Sequence, residues 1–285
     1  MSERKLRDAE LMAEKIVRDE RLSLPVDILS IASKREILVE AKPASAKGVS
    51  GMLIRVGNGF AIAYATHIKS EGFQRFSVAH ELGHYFLEGH PERVFRGGQL
   101  VHESHAGFAS GDQVELEADH FAAGLLMPSQ LFTAEAGRHS DGFEAIEKLA
   151  GVCKTSLTAS AIRYAELTDA AIAIVMSSGS TVDYCFASQA MRRAKGYRHL
   201  KKGAVLPRDS LTRAFNQDIS NIESAKRDTD DTDVMHWFHT DAEIDATEEV
   251  VGLGEYGRAL TIITADVADE DDADNTSEWT PPRFR

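Results

Sequence analysis

Cysteine is scarce: the 285 residues contain two, Cys153 and Cys185. Two thiols make no disulfide framework and too few ligands for a thiolate zinc site, so both are expected to be reduced and buried. No run is long and apolar enough for a secretory core or a membrane span, and the opening residues Met1-Ser2-Glu3-Arg4-Lys5-Leu6-Arg7 are polar and charged. A cytoplasmic protein with no membrane partner is the expectation. Positive charge is also in deficit, with 32 Lys and Arg against 45 Asp and Glu for a formal net charge of −13. Direct nucleic-acid binding is therefore not expected. A basic cluster at Arg192, Arg193, Lys195, Arg198, Lys201 and Lys202 reads as a solvated face or as a partner for the acidic stretches Asp228 to Asp233 and Asp266 to Asp274. The length suits one large or two modest domains.

What the chain does hold is an apolar helical run, Phe76 to Leu87, interrupted by His80-Glu81-Leu82-Gly83-His84. Residues four apart stack on one helical face. His80 and His84 form such a pair and can ligate one zinc through bonds of about 2.0–2.1 Å. Glu81 turns to a neighbouring sector, where it can act as general base on an attacking water without being a ligand. The plain alternative, a core helix with incidental histidines, is disfavoured because an unpaired carboxylate in an apolar helix is costly.

A catalytic site needs a third protein ligand. The stretch Gln113 to Met127, before Pro128, reads as a second helix, with Glu115 and Asp119 four apart. Glu115 is the expected ligand and Asp119 the acceptor that holds a ligating imidazole from behind. Two rivals lie nearby. His90 follows His84 by six residues, although the helix-breaking glycine that such a spacing wants is replaced by Leu87. Glu117 has Phe121 rather than an acid four residues on and reads as a solvated helix carboxylate.

Together, His80-Glu81-Leu82-Gly83-His84 and Glu115-Leu116-Glu117-Ala118-Asp119-His120-Phe121-Ala122-Ala123-Gly124-Leu125-Leu126-Met127-Pro128 resemble the ImmA/IrrE family of metallo-endopeptidases over about residues 5–170. The resemblance implies a zincin-like, gluzincin-like fold, zinc on His80, His84 and Glu115, and catalysis by Glu81. It also implies a substrate class: a helix-turn-helix repressor or antitoxin, cut to switch on phage, mobile-element or stress-response genes. A non-proteolytic regulator that binds such a partner is the competing reading. Zinc over manganese or iron follows from ligand type and from the resemblance.

The expected fold class is α+β: a zincin-like metallopeptidase domain at 1–168, then a smaller, mainly antiparallel α+β domain at 169–285 with a regulatory or substrate-recognition role and an acidic tail. Ahead of the metal helix, an amphipathic helix is expected through Leu6, Met12 and Val17, a short helix opened by Pro25, and a strand at Ile37 to Glu40. A hairpin pairs Met52–Val56 with Phe60–Ala65 across Gly57-Asn58-Gly59. By the family likeness its edge would bind an extended substrate; an ordinary structural hairpin is the alternative. The Gly-, His- and Ser-rich connection from Gly89 to Asp112 offers His102 and His105, which with His120 are candidates for oxyanion stabilisation, each otherwise a solvated histidine. Thr155 to Arg163 has a helix-turn-helix flavour but reads as a closing helical pair. In the second domain, strands are expected at Ala170–Met176, Thr181–Phe186, Val234–Phe238, Glu248–Val251 and Arg258–Ile263. The tail, up to Trp279 and Phe284, is expected to be mobile with aromatics able to dock on the body.

Overall fold

A computed structural model describes residues 2–42, 49–104 and 112–267. His105 and the acidic tail from residue 268 onward lie outside the described residues. The chain divides into two compact units, Met1–Leu167 and Thr168–Arg285. The architecture is α+β, with a four-stranded mixed sheet in the first unit and a five-stranded antiparallel sheet in the smaller second unit. No described helix is long and apolar enough to cross a membrane.

The first unit opens with helix α1 (Ser2–Asp19) and the short α2 (Ile28–Ser33). Asp27, rather than Pro25, starts α2, its side chain accepting from the Ser30 amide at 3.0 Å. Strands β1 (Leu38–Lys42), β2 (Gly51–Val56) and β3 (Gly59–Ala65) precede α3 (Glu71–Phe86). Ser70 caps α3 by accepting from the Phe73 amide, one of the donors that a helix start leaves without a partner. Then come α4 (His90–Val94), strand β4 (Val101–Ser104) and α5 (Gln113–Leu126). Helices α6 (Ser129–Ala136), α7 (Phe143–Cys153) and α8 (Leu157–Leu167) close the unit.

The strand order is β1-β3-β2-β4. The hairpin β2–β3 is thus interior, with β1 parallel to β3 on one side and β4 antiparallel to β2 on the other. This corrects the expectation that the hairpin supplies an open edge: among the described residues the edges are β1 and β4. Helix α3 lies against α5, where a Cβ on Gly83 would come within 3.2 Å of Ala118 Cα and of the Phe121 ring. The glycine inside the His-Glu-x-x-His motif lets the two helix backbones approach, and Phe86 stacks on Phe121 at 5.8 Å. Helix α8 turns inward: Arg163 is buried, bonds the Met127 carbonyl at 3.2 Å, and pairs with Glu10 and Glu14 of α1. That favours the closing helical pair over a DNA-reading helix.

In the second unit the strands are β5 (Ala171–Ser178), β6 (Thr181–Ala187), β7 (Arg227–Asp233), β8 (Asp245–Gly252) and β9 (Ala259–Ala265), in the order β6-β5-β9-β8-β7. Short helices α9 (Gln189–Arg193), α10 (Leu211–Phe215), α11 (Ile219–Glu223) and α12 (Val234–Phe238) accompany them. The expected strand at Val234–Phe238 is therefore a helix. Asp233 caps it by accepting from Met235 N at 2.6 Å, and Val234, Trp237 and Phe238 bury one face. The strand is instead the acidic segment before it, β7, an edge strand whose exposed carboxylates discourage further pairing. The six basic residues of the cluster are all exposed.

Candidate metal centre

Three elements converge on one point of the first unit. From α3 come His80, Glu81 and His84, all buried; from α5 comes Glu115; from β4 comes His102. The His80 and His84 Nε2 atoms lie 3.0 Å apart. Glu115 completes the triangle, its Oε2 3.2 Å from His80 Nε2 and its Oε1 3.5 Å from His84 Nε2. Each of the three residues offers one ligand atom within 4.8 Å of the others. A tetrahedral ion with bonds of about 2.0–2.1 Å needs donor atoms about 3.3 Å apart, so the separations fit a metal such as zinc.

Second partners orient these ligands. His80 Nδ1 lies 2.8 Å from Asp119 Oδ1, which holds the proton on that nitrogen and leaves Nε2 to face the centre. Burial lowers the His80 pKa, but the hydrogen bonds that its ring donates to Asp119 and Glu115 outweigh it and raise it to about 10. Metal binding at Nε2 would therefore displace a proton. His84 lacks such direct carboxylate compensation on Nδ1, and burial pushes it down to about 3, which leaves the ring neutral. Burial raises the Glu115 carboxyl, yet its bonds to His102, His80 and His84 hold it well below the usual carboxylate range.

Glu81 is built differently. It is fully buried, and among the described residues neither carboxyl oxygen meets a partner in hydrogen-bond geometry, although the Ser104 hydroxyl is close enough to hold its pKa down in part. A Cβ on Gly51 of β2 would come within 2.5 Å of Glu81 Oε1, so only glycine leaves room for the carboxylate there. Burial raises its pKa to about 7. An orphaned carboxyl beside three converging ligand atoms is what a general base acting on water requires.

The two rivals to Glu115 take other places. His90 lies on the far edge of the His84 ring, Nδ1 to Nδ1 at 3.2 Å, away from the converging nitrogens. Glu117 is not the solvated carboxylate expected of it: it is buried and bonds His90 Nε2 at 3.1 Å. Of the three histidines considered for oxyanion stabilisation, His102 reaches the centre, with Nε2 3.1 Å from Glu115 Oε1 and its ring 4.6 Å from that of His84. His120 turns away to Glu10 Oε1 at 2.7 Å. An open groove of about 370 Å³ is lined by Gln99, Val101, His102 and Glu103.

Residues 32–163 match the model of the Peptidase_M78 family, described as an IrrE N-terminal-like domain. The match spans both motifs on which the ImmA/IrrE resemblance rests. Among solved structures, a Mycobacterium tuberculosis transcriptional regulator is similar, with 14% identity, a TM-score of 0.54, and 90% of this chain and 76% of that chain covered. At that identity the likeness concerns the fold. No curated protein matches the chain.

Proposed function

From a first unit whose residues 32–163 are similar to the IrrE N-terminal-like peptidase domain, we propose that the chain is a zinc-dependent endopeptidase. The observation that carries the reading is the pairing of a three-donor cluster, His80, His84 and Glu115, with an adjacent buried Glu81 whose oxygens meet no partner in hydrogen-bond geometry among the described residues. A zinc ion held by those three residues would supply a Lewis acid that polarises a carbonyl and acidifies water. Glu81 takes the proton from the water that attacks the scissile carbonyl and returns it to the leaving amine. Asp119 keeps the His80 ring in the ligating tautomer. His102, beside the cluster, is in reach of the charge that develops on the carbonyl oxygen.

The substrate we propose is a protein, a helix-turn-helix repressor or antitoxin, bound in extended form along the outer edge of β4, next to the groove at Val101 and His102. The second unit is proposed to recognise that substrate or to regulate the cut. Direct nucleic-acid binding is not part of the proposal. The test is to incubate the zinc-loaded chain, next to Glu81→Gln, with helix-turn-helix proteins encoded by neighbouring genes. A shortened repressor with the wild type and an intact one with Glu81→Gln is the expected result. A stable intact complex with both would replace the peptidase by a regulator that works by binding.

A further inference from the structure

His90 and Glu117 are buried at the metal centre without offering it a ligand atom. The chain leaves α3 at Leu87, reverses at Gly89 with φ +77°, and starts α4 with His90 tucked behind His84. His90 Nδ1 lies 3.2 Å from His84 Nδ1, and its Nε2 lies 3.1 Å from Glu117 Oε2. Glu117 is held in turn by Gln113, whose amide donates to Oε1 at 3.1 Å.

A neutral imidazole has one N–H donor and one bare acceptor nitrogen. Two facing Nδ1 atoms therefore need one proton between them, and the carboxylate at the end decides which ring carries it. Glu117 accepts only, so the His90 proton sits on Nε2 and His90 Nδ1 is bare. His84 must then donate from Nδ1, which leaves its Nε2 lone pair facing His80 and Glu115. The opposite order would point bare His90 Nε2 at a carboxylate and aim a His84 N–H into the ligand cluster.

We propose that Glu117 and His90 are positioning residues: the chain Glu117–His90–His84 sets the tautomer in which His84 presents Nε2 to the metal. The inference rests on the reading of His80, His84 and Glu115 as a metal site. It gives helix α5 three acids with three tasks. Glu115 faces the metal, and Asp119, about one turn on, reaches His80 directly. Glu117, two residues from Glu115 and so on another flank of the helix, reaches His84 only with His90 as a spacer.

The test is the apparent zinc affinity of the full chain at fixed pH, by competition with a chromophoric chelator. The variants are Glu117→Gln, His90→Leu, the two combined, and His90→Asn, whose amide oxygen can replace the bare Nδ1 as acceptor. Glu117→Gln and His90→Leu are each expected to weaken zinc by about 10–100-fold. The combined variant should be no weaker than the weaker single one, since both break one chain. His90→Asn should recover part of the loss. Losses that multiply in the combined variant, or folded Glu117→Gln and His90→Leu within threefold of a wild type that binds zinc, would overturn the relay while leaving the metal site standing. If His90→Leu does not fold, Glu117→Gln decides by the same limit, and a His90→Asn variant that binds zinc no better than Glu117→Gln would likewise count against the relay. A wild type that takes up no zinc overturns the metal site, and the relay with it.

Discussion

Each unit of this chain holds a glutamate at 1% exposure or less, and the two are treated in opposite ways. Glu248 on β8 is 1% exposed and engaged through one oxygen: its Oε1 accepts from the Thr212 amide at 2.6 Å and from the Thr212 hydroxyl at 2.7 Å, and that hydroxyl meets Thr261 Oγ1 at 2.6 Å. It ties α10 to the sheet. Glu81 on α3 is buried just as deeply, yet among the described residues neither of its oxygens meets a partner in hydrogen-bond geometry. A buried polar group without a hydrogen bond costs stability, so it persists where the fold is held by other contacts and the group has another task. Glu248 is part of the architecture, whereas Glu81 is supported by the architecture and kept available.

The sharpest way to break this contrast is to change Glu81 and follow catalysis. Glu81→Gln keeps size and burial but removes the base, and peptidase activity on a cleavable protein should fall by about 10²–10⁴-fold with zinc content unchanged. Retained cleavage would take Glu81 out of the mechanism. The same substitution should stabilise the metal-free fold. Burial raises the Glu81 pKa from 4.5 to about 7, so between those values the folded state holds a proton that the unfolded state has lost. Stability therefore falls as pH rises through that window, and the full penalty stands above pH 7. Glu81→Gln should add about 3 kcal/mol at pH 8 and almost nothing below pH 4, read from chelator-treated samples in denaturant melts. The matching change in the other unit has the opposite sign. Glu248→Ala strands the Thr212 amide and leaves its hydroxyl only Thr261, and should cost about 1–3 kcal/mol; equal effects of both substitutions would erase the contrast.

The convergence of His80, His84 and Glu115 was legible because its logic is local. His80 with His84, and Glu115 with Asp119, are pairs at helical spacing, and that spacing survives any packing. The role of Glu117 was not legible, since its partner His90 is brought over by a glycine turn onto a different element, and no spacing within α5 announces it. Strand β4 is four residues long in a stretch without sustained period, so neither its existence nor its place at the sheet edge shows in the pattern. The five-residue apolar run Val234–Phe238 is too short for period alone to separate helix from strand. The signal that would have decided it is Asp233, a residue fit to cap a helix. Strand β7 was hidden for the opposite reason: its exposed acids carry no hydrophobic alternation, and pairing with β8 defines it.

The two cysteines turn the comparison into a measurement on both units at once. Cys153 ends α7 in the first unit, and Cys185 lies on β6 in the second; both are buried, and burial pushes each thiol up to about 12. Neither should react with an alkylating reagent in the native state except through opening of the structure around it, so each labelling rate reports the free energy of its own unit. A ligand that binds only the folded form lowers the open population by the factor 1 + [L]/Kd. With free zinc about tenfold above its Kd, labelling of Cys153 should slow by about tenfold while Cys185 keeps its rate, as mass spectrometry of the alkylated peptides would show. Equal slowing at both sites would mean that the two units open as one, and the spare carboxylate of the first would then draw its support from the whole chain. Slowing at Cys185 alone would place the metal in the second unit, against every distance around His80, His84 and Glu115.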